Sequence, residues 1–221
     1  MDRNAEILRH VSLNDLGIEI GPWHSPLAPK AHGYNCLSMD VFDTDTLRAR
    51  AAADPNVPEE LARRIESVDL VGGASSLRTL AQDRGIAGKV SYIISSHNIE
   101  HIPDPIAFLQ DCGTVLKAGG YLSMAVPDRR ACFDFFRPFT TLSQWIQAHF
   151  ERRTRPTEAQ LFELECLGAD YQRGATRSAG FDIARESPEA LIPFNRLKSS
   201  LAMWRQRIVD ATEDYRDTHC W

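Results

Sequence analysis

Little in this 221-residue sequence points to a membrane, a secretory route or a disulfide scaffold. No stretch approaches the roughly 18–20 apolar residues that a bilayer-crossing helix needs, so a membrane span is excluded. The first residues, Met1-Asp2-Arg3-Asn4-Ala5-Glu6, are charged and lead into no apolar run with a small-residue cleavage site, so no secretory leader is expected. Five cysteines, Cys36, Cys112, Cys132, Cys166 and Cys220, are widely spread, odd in number and without a CxxC pair. Reduced, mostly buried thiols in a soluble cytoplasmic protein are the expectation. Positive charge is also short. Twenty-five Lys and Arg stand against 30 Asp and Glu, a formal net charge of −5 that repels a phosphate backbone, so nucleic acid is not expected as a substrate. Internal repeats and low-complexity tracts are absent as well.

What is present is a hydrophobic fraction of 43% in a chain long enough for one sizeable core with an appendage. Through the first 126 residues, short apolar runs alternate with helical patterns, the signature of βαβ units building a parallel sheet. The runs at 16–21, 34–39, 65–71, 90–95 and 121–126 predict strands. Near-continuous apolarity suits strands covered on both faces. Between them, 43–53, 75–84 and 105–116 predict helices, the last with Ile106, Leu109, Cys112 and Leu116 on one stripe and a stop at Gly119-Gly120. After Pro127 the strand-like runs give way to charge-dense, aromatic, helical patterns at 140–152, 157–167 and 190–215, with 172–187 as a connection. The reading is an α/β, doubly wound, mostly parallel sheet over 1–127 and a mainly helical part over 128–221. No strands are expected after Pro127, so the final strand pair of such a sheet is expected to be missing.

The chemistry-bearing positions sit at predicted strand tips. Glu19-Ile20-Gly21 ends the first strand, where an open α/β sheet binds nucleotides. A glycine there admits a ligand close to the backbone, and a nearby carboxylate can accept from a ligand ammonium. About twenty residues on, Asp40 closes the second strand at the spacing of a ribose-binding acid. A turn or helix-cap role is the plainer alternative for Asp40, and Asp43 is equally well placed to cap the next helix. The fourth unit, SSHNIEHIPDP over 95–105, reads as a strand with a polar tip, and LKAGGYLSMAVPD over 116–128 joins a helix to the last clear strand.

These segments, in this order, resemble those of the seven-strand S-adenosylmethionine methyltransferases. SSHNIEHIPDP, LKAGGYLSMAVPD and DRRACFDFFRPFTT over 128–141 resemble one bacterial subgroup linked to glycan or secondary-metabolite pathways. The likeness covers roughly 15–150, and it implies a Rossmann-like fold and a methyl transfer that releases S-adenosylhomocysteine. Carried over position by position, Glu19, Gly21 and Pro22 would face the methionine part of the cofactor, Asp40 its ribose and Val41 its adenine. Ala74 and Ser75, after the third strand, and Ser96 complete the cofactor set. Gly21 is followed by Pro22-Trp23-His24-Ser25-Pro26, where the family usually has further glycines.

The transfer is an in-line displacement that the protein accelerates by holding the partners aligned, and a base is needed only for a hydroxyl acceptor. His97 and His149 are the candidate bases, a structural role being at least as plain for each. Arg129, Arg130, Arg137 and Trp145 are the candidates for a small-molecule or sugar/glycan acceptor, methylated at oxygen. A homodimer or a larger multidomain context is the expected setting. No metal site is assigned. Two rival readings stand beside this one: a non-catalytic module that keeps the fold, and a zinc metallopeptidase. The second rests on His97-x-x-Glu100-His101, the inverted zincin pattern, which needs a helix of two or three turns although Pro103 and Pro105 follow at once.

Overall fold

A computed structural model describes residues 2–173, 176–178, 187–193 and 218–221. The chain divides into two compact units, one of residues 1–99 and 105–125, the other of 100–104 and 126–221.

The first unit is built on a five-stranded, all-parallel sheet. Its strands are β1 (Gly17–Ile20), β2 (Cys36–Asp40), β3 (Leu70–Val71), β4 (Val90–Ser96) and β5 (Leu116–Ala125), in the order β3-β2-β1-β4-β5. All four residues of β1 are buried, as are the first six of β4, which explains their near-continuous apolar reading. Helix α1 (Arg3–Ile7) covers one face, where Ile7 packs with Ala28, Cys36, Tyr92 and Ile94. Next come α2 (Thr44–Ala53) and α3 (Glu59–Ala62), where Leu47 and Ala51 close with Ile65 over a second apolar cluster that includes Trp23 and Phe42. Asp43 caps α2, its Oδ1 accepting from the Thr46 N–H at 2.8 Å. Helices α4 (Leu77–Asp83) and α5 (Pro105–Val115) follow β3 and β4.

Three expectations shift here. The buried stripe of α5 is Pro105, Phe108, Cys112 and Val115, so Cys112 is buried as expected while the other three stand one position before Ile106, Leu109 and Leu116, and Leu109 is exposed. Only Leu70–Val71 of the third apolar run pairs as strand. The double glycine does not end a helix. Val90 faces Leu116 and Tyr92 faces Tyr121, so residues 117–120 bulge out of β5 opposite Ser91. Gly119 makes the bulge at φ 77°, and a Cβ on Gly120 would meet the carbonyls of Lys117, Ser91 and Val90 at 3.0–3.1 Å.

The second unit holds α6 (Leu142–Phe150) and α7 (Glu158–Leu167), each opened by a capping box, Thr141 with Gln144 and Thr157 with Gln160. It is not purely helical. Strands β6 (Ala169–Arg173), β7 (Thr176–Ser178) and β8 (Leu191–Pro193) form a separate antiparallel sheet in the order β7-β6-β8. They correct the expectation of no strand after Pro127, of a plain connection at 172–187 and of a helix starting at 190. The signal is there in miniature: Ala169 and Tyr171 are buried while Asp170 and Gln172 are half-buried, the period of a half-covered strand. Three to five residues are too few to register it against a charged background. The rest of the predicted 190–215 helix, 194–215, lies outside the described residues.

Candidate active site

The sheet order dictates where a ligand can enter. From β1 the chain winds outward through β2 to β3, then crosses back so that β4 lies on the other side of β1. Connections leaving in opposite directions open a crevice at the carboxyl ends of β1 and β4, the switch point at which doubly wound sheets bind ligands. Glu19 and Gly21 end β1, Asp40 ends β2, and Ser96 and His97 end β4.

Gly21 stands at φ 62°, in the left-handed region, and a Cβ built on it would meet nothing within 4 Å. Its N–H is tied to the Met39 carbonyl at 2.8 Å, so the open space above it is held in place. Of the residues that replace further glycines, those from Trp23 on stay more than 4 Å from that position. Trp23 turns through its own left-handed conformation, φ 49°, and packs into the cluster beside α2. Pro22 is half-buried beside it.

Glu19 is buried, and its two carboxylate oxygens accept from the N–H groups of Leu27 at 2.8 Å and Ala28 at 3.0 Å. It therefore fastens the loop after β1, a role the sequence did not reveal. Burial raises its pKa most, the N–H groups of Ala28 and Leu27 draw it back, and Glu66 adds to the rise. Asp40, 8% exposed, accepts from the Phe42 N–H at 3.2 Å. Because Asp43 caps α2, Asp40 has no capping duty. Burial lifts its carboxyl above the ordinary carboxylate range, against the N–H groups of Phe42 and Val41 and the charge of Arg50. Val41 lies half-buried next to it.

Ala74 and Ser75 form a 3-10 turn after β3, with Ser75 exposed. Asp69 is committed elsewhere, pairing with Lys30 and accepting from the Ser38 N–H at 2.9 Å. The Ser96 hydroxyl accepts from Arg3 of α1 at 2.5 Å. Arg3 is thus a cation at the tip of β4, 93 positions away in sequence and invisible to any local pattern. His97 is exposed, in the left-handed region at φ 50°, with its N–H donating to Ala125 O at 2.9 Å. Ile99–His101 is a single 3-10 turn, so the helical face on which His97 and His101 would sit one turn apart does not form. The inverted zincin geometry is absent.

In the second unit, His149 closes α6. Its Nδ1 lies 3.0 and 3.2 Å from the two oxygens of Asp104. With a carboxylate as its partner Nδ1 is the donor, and in the neutral ring Nε2 is then the accepting nitrogen. The Asp104 side chain is 10% exposed and that of His149 35%, so the imidazole is anchored on a buried acid and itself partly exposed. Of the acceptor candidates, Arg129 donates to the carbonyls of Phe135 at 2.5 Å and Arg137 at 2.7 Å and stacks on Phe139, so it shapes its own loop. Arg137 is buried against Asp134 at 2.8 Å. Burial, the largest influence on Asp134, pushes its pKa up, but bonds from His219 and Arg137 outweigh it and leave the group below its ordinary value. Arg130 is exposed and pairs with Asp128, while Trp145 is half-buried and meets Trp221 edge-on at 6.4 Å.

A doubly wound parallel sheet with a left-handed glycine and a buried strand-end acid at its switch point defines an α/β, Rossmann-like domain. The chain matches a family described as a methyltransferase domain over residues 8–186, and it belongs to that family. No curated protein matches it. Among the described residues no helix is long and apolar enough to cross a membrane.

Proposed function

We propose that this chain is an S-adenosylmethionine-dependent methyltransferase acting in the cytoplasm on a hydroxyl oxygen of a small-molecule or sugar/glycan acceptor, in the bacterial subgroup that its central segments resemble. The single observation that supports this most is the open, left-handed Gly21 beside the buried Asp40 at the switch point. The residues present fit the cofactor. Gly21 leaves the backbone unshielded, Asp40 would accept from the ribose hydroxyls, and Val41, Ala74 and Ser75 would flank the adenine. Glu19, Pro22 and Ser96 border the methionine part, and the Arg3 guanidinium at Ser96 is the cation suited to its carboxylate.

When bound, the cofactor supplies an electrophilic methyl group on a positively charged sulfur. The chain contributes alignment and proton removal. His149, oriented by Asp104, takes the acceptor's proton on Nε2, and the resulting charge is stabilised by the carboxylate on Nδ1 and by the end of α6. His97 is the second candidate for that task. Arg130 and Trp145 are assigned to the acceptor, with Arg129 and Arg137 shaping the segment that carries them.

The test is calorimetric titration of the full chain with S-adenosylmethionine. Wild type binds, and Asp40→Ala weakens binding by about 1–3 kcal/mol, roughly 5- to 160-fold, the cost of leaving buried polar partners unmatched. Equal affinities would remove Asp40 from the site, and no binding to wild type would overturn the reading.

A further inference from the structure

Outside the cofactor crevice, one group of chemistry-bearing side chains has no part in methyl transfer. Glu100 and His101 sit side by side on the 3-10 turn after β4, and His219 comes from the far end of the chain. Each offers one ligand atom, and these atoms lie within 4.8 Å of one another. Glu100 is 2% exposed and His219 7%, His101 is half-buried between them, and the His101 and His219 rings meet edge-on at 4.6 Å.

The segment carrying His219 is strapped in place. The N–H of Cys220 donates to Glu100 O at 2.6 Å, the Trp221 indole donates to Ile102 O at 2.6 Å, and Gln160 donates to Cys220 O at 2.9 Å. Behind His219 stands Asp134, whose carboxylate meets His219 Nδ1 at 2.5 Å and is itself held by Arg137 at 2.8 Å. A carboxylate on one imidazole nitrogen fixes the tautomer and the ring orientation, which is the outer shell that metal-bound histidines have.

From this convergence we propose that Glu100, His101 and His219 form a site for one divalent ion of the zinc class, with Asp134 as the positioning residue behind His219. Two imidazoles and one carboxylate are borderline ligands that suit zinc, and three protein ligands leave a fourth tetrahedral position for water or an acceptor oxygen. Bond lengths of about 2.0–2.2 Å put tetrahedral ligand atoms roughly 3.4 Å apart, so binding draws the three inward by about an ångström. The site differs from the inverted zincin pattern in both membership and role: Glu100 is a ligand rather than a base, and His97 takes no part. By joining residues 100–101 to residue 219, the ion would fasten the 218–221 segment in its observed place.

The experiment is carried out on the full chain, stripped with a chelator and dialysed. Zinc chloride is titrated by calorimetry, metal is counted by mass spectrometry, and cobalt substitution reports coordination geometry. One equivalent is expected to bind, with a cobalt spectrum of a nitrogen- and oxygen-liganded ion and no thiolate charge-transfer band. Glu100→Gln and His219→Ala should each lose it. Asp134→Asn, which keeps the side-chain shape, should weaken binding roughly 10- to 100-fold, while circular dichroism confirms each variant's fold. Less than a tenth of an equivalent on wild type would overturn the proposal, as would undiminished binding in folded Glu100→Gln or a thiolate-type cobalt spectrum. Cofactor titration is read separately, so failure here leaves the methyltransferase reading intact.

Discussion

Replacing Gly21 by alanine separates two effects that a glycine at a ligand site combines. At φ 62° an L-residue is strained by about 1–2 kcal/mol, and with nothing within 4 Å of the new Cβ there is no clash to add. Gly85, after α4, is the matched control: it stands at φ 70°, also open, and lies outside the set of residues assigned to the cofactor. Both variants should therefore lose about the same stability, a fall in Tm of roughly 2–8 °C for a chain of this size. Only Gly21→Ala should lose cofactor affinity, because its methyl group occupies the space that the backbone's nakedness keeps for the ligand. A tenfold or larger drop in calorimetric affinity is expected, which is about 1.4 kcal/mol or more. Should Gly21→Ala and Gly85→Ala lose equal stability and both keep wild-type affinity, the open glycine would be a turn residue and nothing more.

The remaining predictions concern proton chemistry. Burial raises Asp40, so the folded protein holds that proton more tightly than the unfolded chain, and stability falls as pH rises through the window between the ordinary carboxylate value and the raised one. Cofactor affinity should run the opposite way, strengthening with pH through the same window as the accepting carboxylate forms. Asp40→Asn should flatten both profiles, and an unaltered slope in either would assign it to another group. For methyl transfer, adenosylhomocysteine release against a panel of hydroxyl-bearing acceptors should fall roughly 10²- to 10⁴-fold in His149→Ala with cofactor affinity unchanged. Asp104→Asn should lower the rate and shift its pH profile, since the carboxylate that orients Nδ1 is lost; a full rate in His149→Ala would pass the base role to His97.

The parallel sheet was legible because its inner strands are buried on both faces: the near-continuous apolar runs of β1 and β4 carry their own signal. Gly21 and Asp40 were legible for a related reason, since strand-end position follows directly from the alternation of elements. The misreadings have local causes. Gly119-Gly120 reads as a helix stop by composition, but its backbone serves a bulge inside β5. The short strands β6, β7 and β8 owe their existence to pairing partners up to 24 residues away, as when Ala169 faces Pro193. The partners that define the histidines are more distant still. Asp104 with His149 and Asp134 with His219 are separated by 45 and 85 positions. Arg3 on Ser96 belongs with them. Side-chain meetings of that range leave no periodicity in the sequence, so His97, the histidine with the more suggestive neighbours in sequence, looked as eligible as His149.

The central claim is that the carboxyl ends of β1, β2 and β4 receive the adenosyl cofactor. A crystal structure of the full chain grown with saturating S-adenosylhomocysteine tests it most directly. Density should lie over Gly21, with the ribose hydroxyls within hydrogen-bond distance of the Asp40 carboxylate. Density elsewhere on the chain, or an empty switch point at saturation, would contradict it.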